Sequence, residues 1–203
     1  MSILRSIFGP SQSDIWSQVA HNIGGQFDKG GLLGKNELRY RSGQWELVLD
    51  TFVVSTGQTT IPFTRMRAPF VNKDGLYFKI YPEGLSGKIG KFFGMQDIQI
   101  GDPQFDQEFM IKGNDETKIR ALLHSTRVKQ LIEAQPRIEL QIKDDDGLFG
   151  ASFPQGTDML YFACAGVVKD PQVLKDLFEL FCCVLDRLVE IDSAYESNPD
   201  VKL

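Results

Sequence analysis

Histidine and cysteine, the residues that most often carry metal or nucleophilic chemistry, are scarce here: two histidines and three cysteines in 203 residues. No C-x-x-C spacing occurs and no histidine lies beside the cysteines, so a tetrahedral metal site lacks its ligands. The thiol count is odd, and Cys182 and Cys183 are neighbours inside an apolar segment. They fit small buried hydrophobes in a reducing compartment better than a disulfide framework. Positive charge is also in deficit. The 22 Lys and Arg face 27 Asp and Glu, for a net charge of -5. That balance speaks against a nucleic-acid partner, whose affinity rests on neutralising phosphates. Long apolar runs are missing too. The longest charge-free apolar run of the last helical segment, Leu180 to Leu185, is far short of the ~20 residues that cross a bilayer. Met1 to Phe8 is interrupted at Arg5 and has no cleavage-like site, which is unlike a signal peptide. A cytoplasmic protein is expected.

What is present is an ordinary globular composition, long enough to bury one large core. The expected domain spans 1–203, divisible at most into subdomains 1–100 and 101–203. The organising segment runs from Asp170 to about Tyr195. Asp170 suits an N-cap and Pro171 the first helical turn, where its missing N–H costs nothing. Polar residues recur at helical spacing from Gln172 to Glu190, and the remaining positions are apolar. So broad an apolar face must lie against a sheet.

The chain before it supplies strands. Met1 to Phe8 has an apolar face at helical spacing, and a second helix is expected from Ser13 as N-cap to Ile23. Glu37 to Arg41, Trp45 to Val54, Thr59 to Phe70 and Leu76 to Tyr81 then read as an antiparallel meander. Pro62 and Pro69 suggest an edge or bulges. Gly84 to Met95 reads as a short helix or loop. In the second half a strand is expected over Phe105 to Lys112, a helix capped by Asn114 and another capped by Ser125. Two strands should flank the Asp144-Asp145-Asp146-Gly147 turn and a third run near Met159 to Val168. An internal echo accompanies this: Asp74-Gly75-Leu76-Tyr77 with Tyr81-Pro82-Glu83-Gly84 repeats, 72 residues on, as Asp146-Gly147-Leu148-Phe149 with Phe153-Pro154-Gln155-Gly156. Duplication and recurrent turn chemistry both produce such a pattern.

No motif carries chemistry. The Gly30 to Asn36 run is one residue short of a phosphate loop, has Asn36 where a metal-binding hydroxyl belongs, and follows a helix instead of a strand. Gly84-Leu85-Ser86-Gly87 lacks a spacer of the nucleophile elbow. Asp144 to Asp146 fits hairpin-turn chemistry better than a cation loop. Arg65 and Arg67, like Arg39 and Arg41, share a strand face; an anion or the acidic excess could engage them, and a solvated face is the plain expectation. Because triads assemble from distant positions, sequence leaves open whether His21, His124 or Cys164 meets other polar groups.

One segment has a likeness. Asp102-Pro103-x-Phe105-Asp106-x-x-Phe109-x-x-x-Gly113-x-Asp115, followed by Ile119, Ala121, Leu122 and Leu123, resembles a segment of bacterial proteins grouped as domains of unknown function. There a strand runs into a helix begun by an acidic pair. The likeness implies a bacterial α+β domain and carries no catalytic residue; some members have membrane-spanning segments. Read physically, Phe105 and Phe109 pack the sheet and Gly113 turns the chain into a helix cap.

The expected fold is therefore α+β: an antiparallel sheet in two consecutive portions, short helices between them, and the long C-terminal helix on the sheet. The expected function is a non-catalytic interaction or scaffold protein, through a protein partner or self-association, with no cofactor, metal or catalytic residue. The surface would come from Leu177, Phe181, Leu185 and Leu188 and from Ile3, Ile7 and Phe8. Two alternatives are a ligand-binding protein or enzyme, with a pocket near Tyr77, Tyr81, Tyr161 or Trp45, and a peripheral membrane protein using residues 1–8.

Overall fold

The computed structural model describes residues 10–31, 35–55, 57–84, 95–144 and 153–203. Residues 1–8, most of the glycine-bearing 84–95 stretch, and the Asp145 to Phe149 part of the echo lie outside them. Ten strands build one antiparallel sheet: β1 (Gln26–Asp28), β2 (Glu37–Ser42), β3 (Trp45–Ser55), β4 (Thr60–Asn72), β5 (Phe78–Pro82), β6 (Gln96–Ile98), β7 (Phe109–Gly113), β8 (Glu139–Lys143), β9 (Thr157–Ala165) and β10 (Ala194–Tyr195). Their order is β1-β2-β3-β4-β9-β8-β5-β7-β6, with β10 added to β4. The helices are α1 (Gln12–Ile23), α2 (Pro103–Glu108), α3 (Glu116–Leu123), α4 (Thr126–Glu133) and α5 (Pro171–Glu190). The architecture is α+β, as the periodicities predict. Its two sheet portions are fused through the β4–β9 ladder, from Thr64↔Cys164 to Val71↔Thr157. That pairing makes β4 a central strand. Pro62 nevertheless lies beyond the end of the β4–β9 ladder, opposite Val53 of β3 alone, and Pro69 beyond the end of the β3–β4 ladder, opposite Met159 of β9 alone. Each proline thus occupies a locally one-sided stretch, as an edge position requires.

Helix α5 follows its sequence logic at the start. The Asp170 side chain accepts from the backbone N–H groups of Gln172 and Val173, and Pro171 takes the first turn. It stops at Glu190, earlier than the apolar pattern suggests, because Ile191 caps it and the chain turns into β10. Its apolar face, Leu174, Leu177, Phe178, Leu180, Phe181, Val184, Leu185 and Leu188, is buried. Across it lie Leu38, Leu47, Leu49, Met66 and Leu160 from alternate positions of the central strands, all in one core cluster. Each such side chain contributes about 1.5–3 kcal/mol by leaving water.

Three local expectations change. Helix α1 is capped by Ser11, not Ser13: Ser11 and Asp14 form a capping box, and Gly24 closes the other end at φ 75°. Asp102 caps α2 and Pro103 opens it, so the chain is helical up to Glu108 and a strand only from Phe109. A cap followed by proline is a helix start, and here it overrides the alternation of Phe105, Asp106 and Glu108. Asp115, not Asn114, caps α3. Asn114 ties loops together, accepting from the Tyr77 N–H and donating to the Gly75 carbonyl. Ser125 caps α4 as expected, and His124 ends α3.

Candidate functional site

Helices occupy one face of the sheet. The other face carries the opposite strand positions, and its middle is closed by charge pairing. Asp50 on β3 faces two arginines of β4: Arg65 Nε donates to Oδ1 at 2.8 Å, Arg65 Nη2 to Oδ2 at 2.5 Å and Arg67 Nη2 to Oδ2 at 3.0 Å. Arg67 is 5% exposed and Asp50 3%. The solvated arginine face expected from sequence is thus a buried ion pair, held by the cross-strand register Asp50↔Arg65. Further along, Lys79 Nζ donates to Glu139 at 2.8 Å, and Gln141 donates to the same carboxylate oxygen at 2.7 Å. Lys143 Nζ lies 3.7 Å from the centre of the Tyr161 ring. A small apolar cluster of Met159, Tyr161 and Ala163 takes in Phe52, Phe153 and Leu203. Arg39 reaches the same tail, donating to the Leu203 carbonyl at 2.8 Å. It also pairs with Glu37 and Glu46.

The residues proposed from sequence do not form a surface on α5. Leu177, Phe181, Leu185 and Leu188 are all 0% exposed; packing against the sheet uses them completely. Ile3, Ile7 and Phe8 lie outside the described residues. Nor do the proposed pocket residues converge. Trp45 belongs to the helix-side core, whereas Tyr161 belongs to the cluster on the far side, and Tyr81 alternates with the core residue Ile80 onto that far side. Tyr77 donates its hydroxyl to Asp158 at 3.3 Å. A groove of about 460 Å³ runs between the C-terminal tail and the β2–β3 turn, lined by polar groups such as Arg41, Gln44, Glu46 and Asn198. His21 and His124 are exposed on separate helices, Cys164 is buried, and among the described residues no hydrogen bond joins them. Burial pushes the Cys164 thiol up to about 11, the opposite of an activated nucleophile. No group of three or more His, Cys, Asp or Glu among the described residues is placed to hold a metal ion. No helix among them is long and apolar enough to cross a membrane.

What stands out is the β3–β4 hairpin. Strand β2 leaves β3 at Leu49, and β9 leaves β4 at Thr64. Past Thr51↔Thr64 the two strands continue as a two-stranded ladder as far as Ser55↔Thr60, a projection of about 13 Å at 3.3 Å per residue. Gly166 meets its base, through a bridge to Phe63 and an N–H donated to the Pro62 carbonyl. Four large apolar side chains are strongly exposed among the described residues, and three sit here: Val53 at 65%, Val54 at 39% and Ile61 at 41%. Val54 pairs with Ile61 on one face, while Val53 pairs with the exposed Pro62 on the other. Beneath Val54 and Ile61 the rings of Phe52 and Phe63 stack at 5.3 Å, with the Arg65 guanidinium 5.3 Å from the Phe52 ring. Strand periodicity alone hides this surface. The signal that finds it is charge: from Thr51 to Thr64 no side chain is charged, in a chain that is 24% charged.

The fold is an α+β arrangement shared with a protein of solved structure. The chain superposes on the crystal structure of the mycobacterial trehalose monomycolate transport factor A, TtfA, with a TM-score of 0.52 at 10% sequence identity, over 94% of this chain and 98% of that one. No family model matches the sequence, and no curated protein matches it.

Proposed function

We propose that this protein is a non-catalytic interaction module, acting by presenting a surface, and that the surface is the β3–β4 hairpin. The observation that carries the reading is the concentration of exposed apolar side chains, Val53, Val54 and Ile61, on one projecting element. Exposing three branched apolar side chains next to one another forgoes several kcal/mol that burial elsewhere would recover. The likeness to TtfA supports the architecture and leaves the task to this chain's own surface. Three free cysteines support a reducing, cytoplasmic setting, and the resemblance at residues 102–123 supports a bacterial one.

Self-association is a second reading, favoured by one observation. Among the described residues β3 has no strand partner on its outer edge beyond Leu49, and such an edge can pair with a second copy. The experiment for the module reading is complementation of a deletion strain. Val53→Ser with Ile61→Ser should fail to restore function while keeping the fold by circular dichroism. His21→Ala, His124→Ala and Cys164→Ser should each restore it. The reverse pattern would replace a surface with a chemistry.

A further inference from the structure

We propose that the tip of the β3–β4 hairpin inserts shallowly into a lipid surface. The inference rests on the module reading above and names the partner class. The argument is geometric. A flat protein surface covers one face of a two-stranded ribbon at a time. Here both faces are apolar and open: Val53 and Pro62 on one, Val54 and Ile61 on the other. A tip apolar on opposite sides is matched by an environment that closes around it, and the headgroup–acyl boundary does so.

Charge agrees. The tip carries no ionised group that would have to be desolvated, and its hydroxyl and amide residues Ser55, Gln58, Thr59 and Thr60 suit the polar depth of the interface. Backbone groups along the free edges of the ribbon need water or headgroup partners, which restricts insertion to that depth and forbids spanning. The first charges met on leaving the tip, Asp50, Arg65 and Arg67, are already engaged with one another. The chain as a whole is at -5. Attraction to anionic headgroups is therefore not the driving force, and the surface addressed is a neutral or zwitterionic one.

The test uses the full chain and extruded vesicles, either of phosphatidylcholine alone or of phosphatidylcholine with phosphatidylglycerol. Cosedimentation is expected with phosphatidylcholine, undiminished at high salt and not increased by phosphatidylglycerol. Val53→Asp with Ile61→Asp should weaken it about tenfold or more, since two buried apolar contacts are replaced by charges. Deleting residues 1–8 should leave it unchanged. Val54→Trp should shift its emission to the blue on vesicles, a change that a merely destabilised fold does not produce. Absence of binding to both vesicles, binding indifferent to the hairpin substitutions, or binding lost with residues 1–8 instead would each overturn the proposal. A hairpin-dependent dimer in native mass spectrometry without vesicle binding would assign the tip to a second copy. That outcome removes the lipid and leaves the module reading standing.

Discussion

Gly113 and Ile119 leave no space between them for a methyl group. A Cβ at Gly113 would stand 2.0 Å from Cδ1 of Ile119 and 2.9 Å from the carbonyl oxygen of Tyr77. The strand end, the preceding loop and helix α3 meet at this one position. Gly113→Ala should destabilise the protein by about 1–3 kcal/mol, the range for overpacking a closed site. Urea unfolding would show a lower midpoint with an unchanged slope. Gly113→Ala combined with Ile119→Val should recover part of the loss, because only a side chain in the way explains it.

Asp50 pairs with both Arg65 and Arg67. Removing one partner of a buried pair costs more than the pair contributes, because the remaining charge stays desolvated. Asp50→Ala should therefore lower stability by about 3 kcal/mol. An Arg65→Ala variant, whose side chain is the more exposed of the two arginines, should lose less. Chemical denaturation of the two variants side by side checks the order.

Asp158 gives a pH dependence of unusual sign for a carboxylate. Burial pushes its pKa up, and hydrogen bonds from Asn72 and Tyr77 only partly offset this. A folded pKa above the unfolded value means that its favourable contribution is complete below the unfolded pKa and is lost as pH rises through the folded one. Asp158→Asn cannot ionise, so its stability relative to the parent should improve as pH climbs from the ordinary carboxylate range toward neutrality. Thermal unfolding of both proteins across that range would show a difference that grows with pH; a constant difference would contradict the assignment.

Cys164 should be inert in the folded protein. With its thiol at about 11, only about one molecule in a thousand is thiolate at pH 8, and the side chain is buried. Iodoacetamide followed by mass spectrometry should label Cys164 only after denaturant is added. The half-buried Cys182 and Cys183, which burial also pushes up, should react slowly but first.

Much of the fold is legible in the chain because local chemistry and tertiary demand agree there. Asp170-Pro171 starts α5, Ser125 caps α4, and the alternation of Trp45, Leu47 and Leu49 marks the buried face of β3. The misreadings share a cause. At Phe105 to Glu108 the alternation of apolar and acidic residues matches a strand, but the Asp102-Pro103 cap and the Phe105–Phe109 ring pair at 4.7 Å are helical-turn features. Asp106 completes the motif by accepting from the N–H groups of Ile100 and Gly101, contacts that spacing cannot announce. The candidate surface was harder still. Exposure depends on where neighbouring strands stop, and nothing local to Val53 or Ile61 reveals that β2 ends opposite Leu49 or β9 opposite Thr64. Trp16 shows the same limit in the core, since its indole N–H donates to the Val168 carbonyl from 152 residues away.

The β4–β9 ladder also has a history in time. Strand β4 is complete at Asn72, yet its partner begins at Thr157. At ~5–20 residues per second of synthesis, that interval is on the order of ten seconds. For that period a nascent chain holds an unpaired strand edge beside Met66, Ala68 and Phe70, which have no lid until α5 follows. Pairings this distant in sequence slow folding, so refolding should be limited by this step and not by the β3–β4 hairpin. A chain truncated before Thr157 should stay aggregation-prone and should bind a holdase chaperone in a pull-down, whereas the full chain should not. The strand at the centre of the finished sheet is thus the one most in need of protection during synthesis.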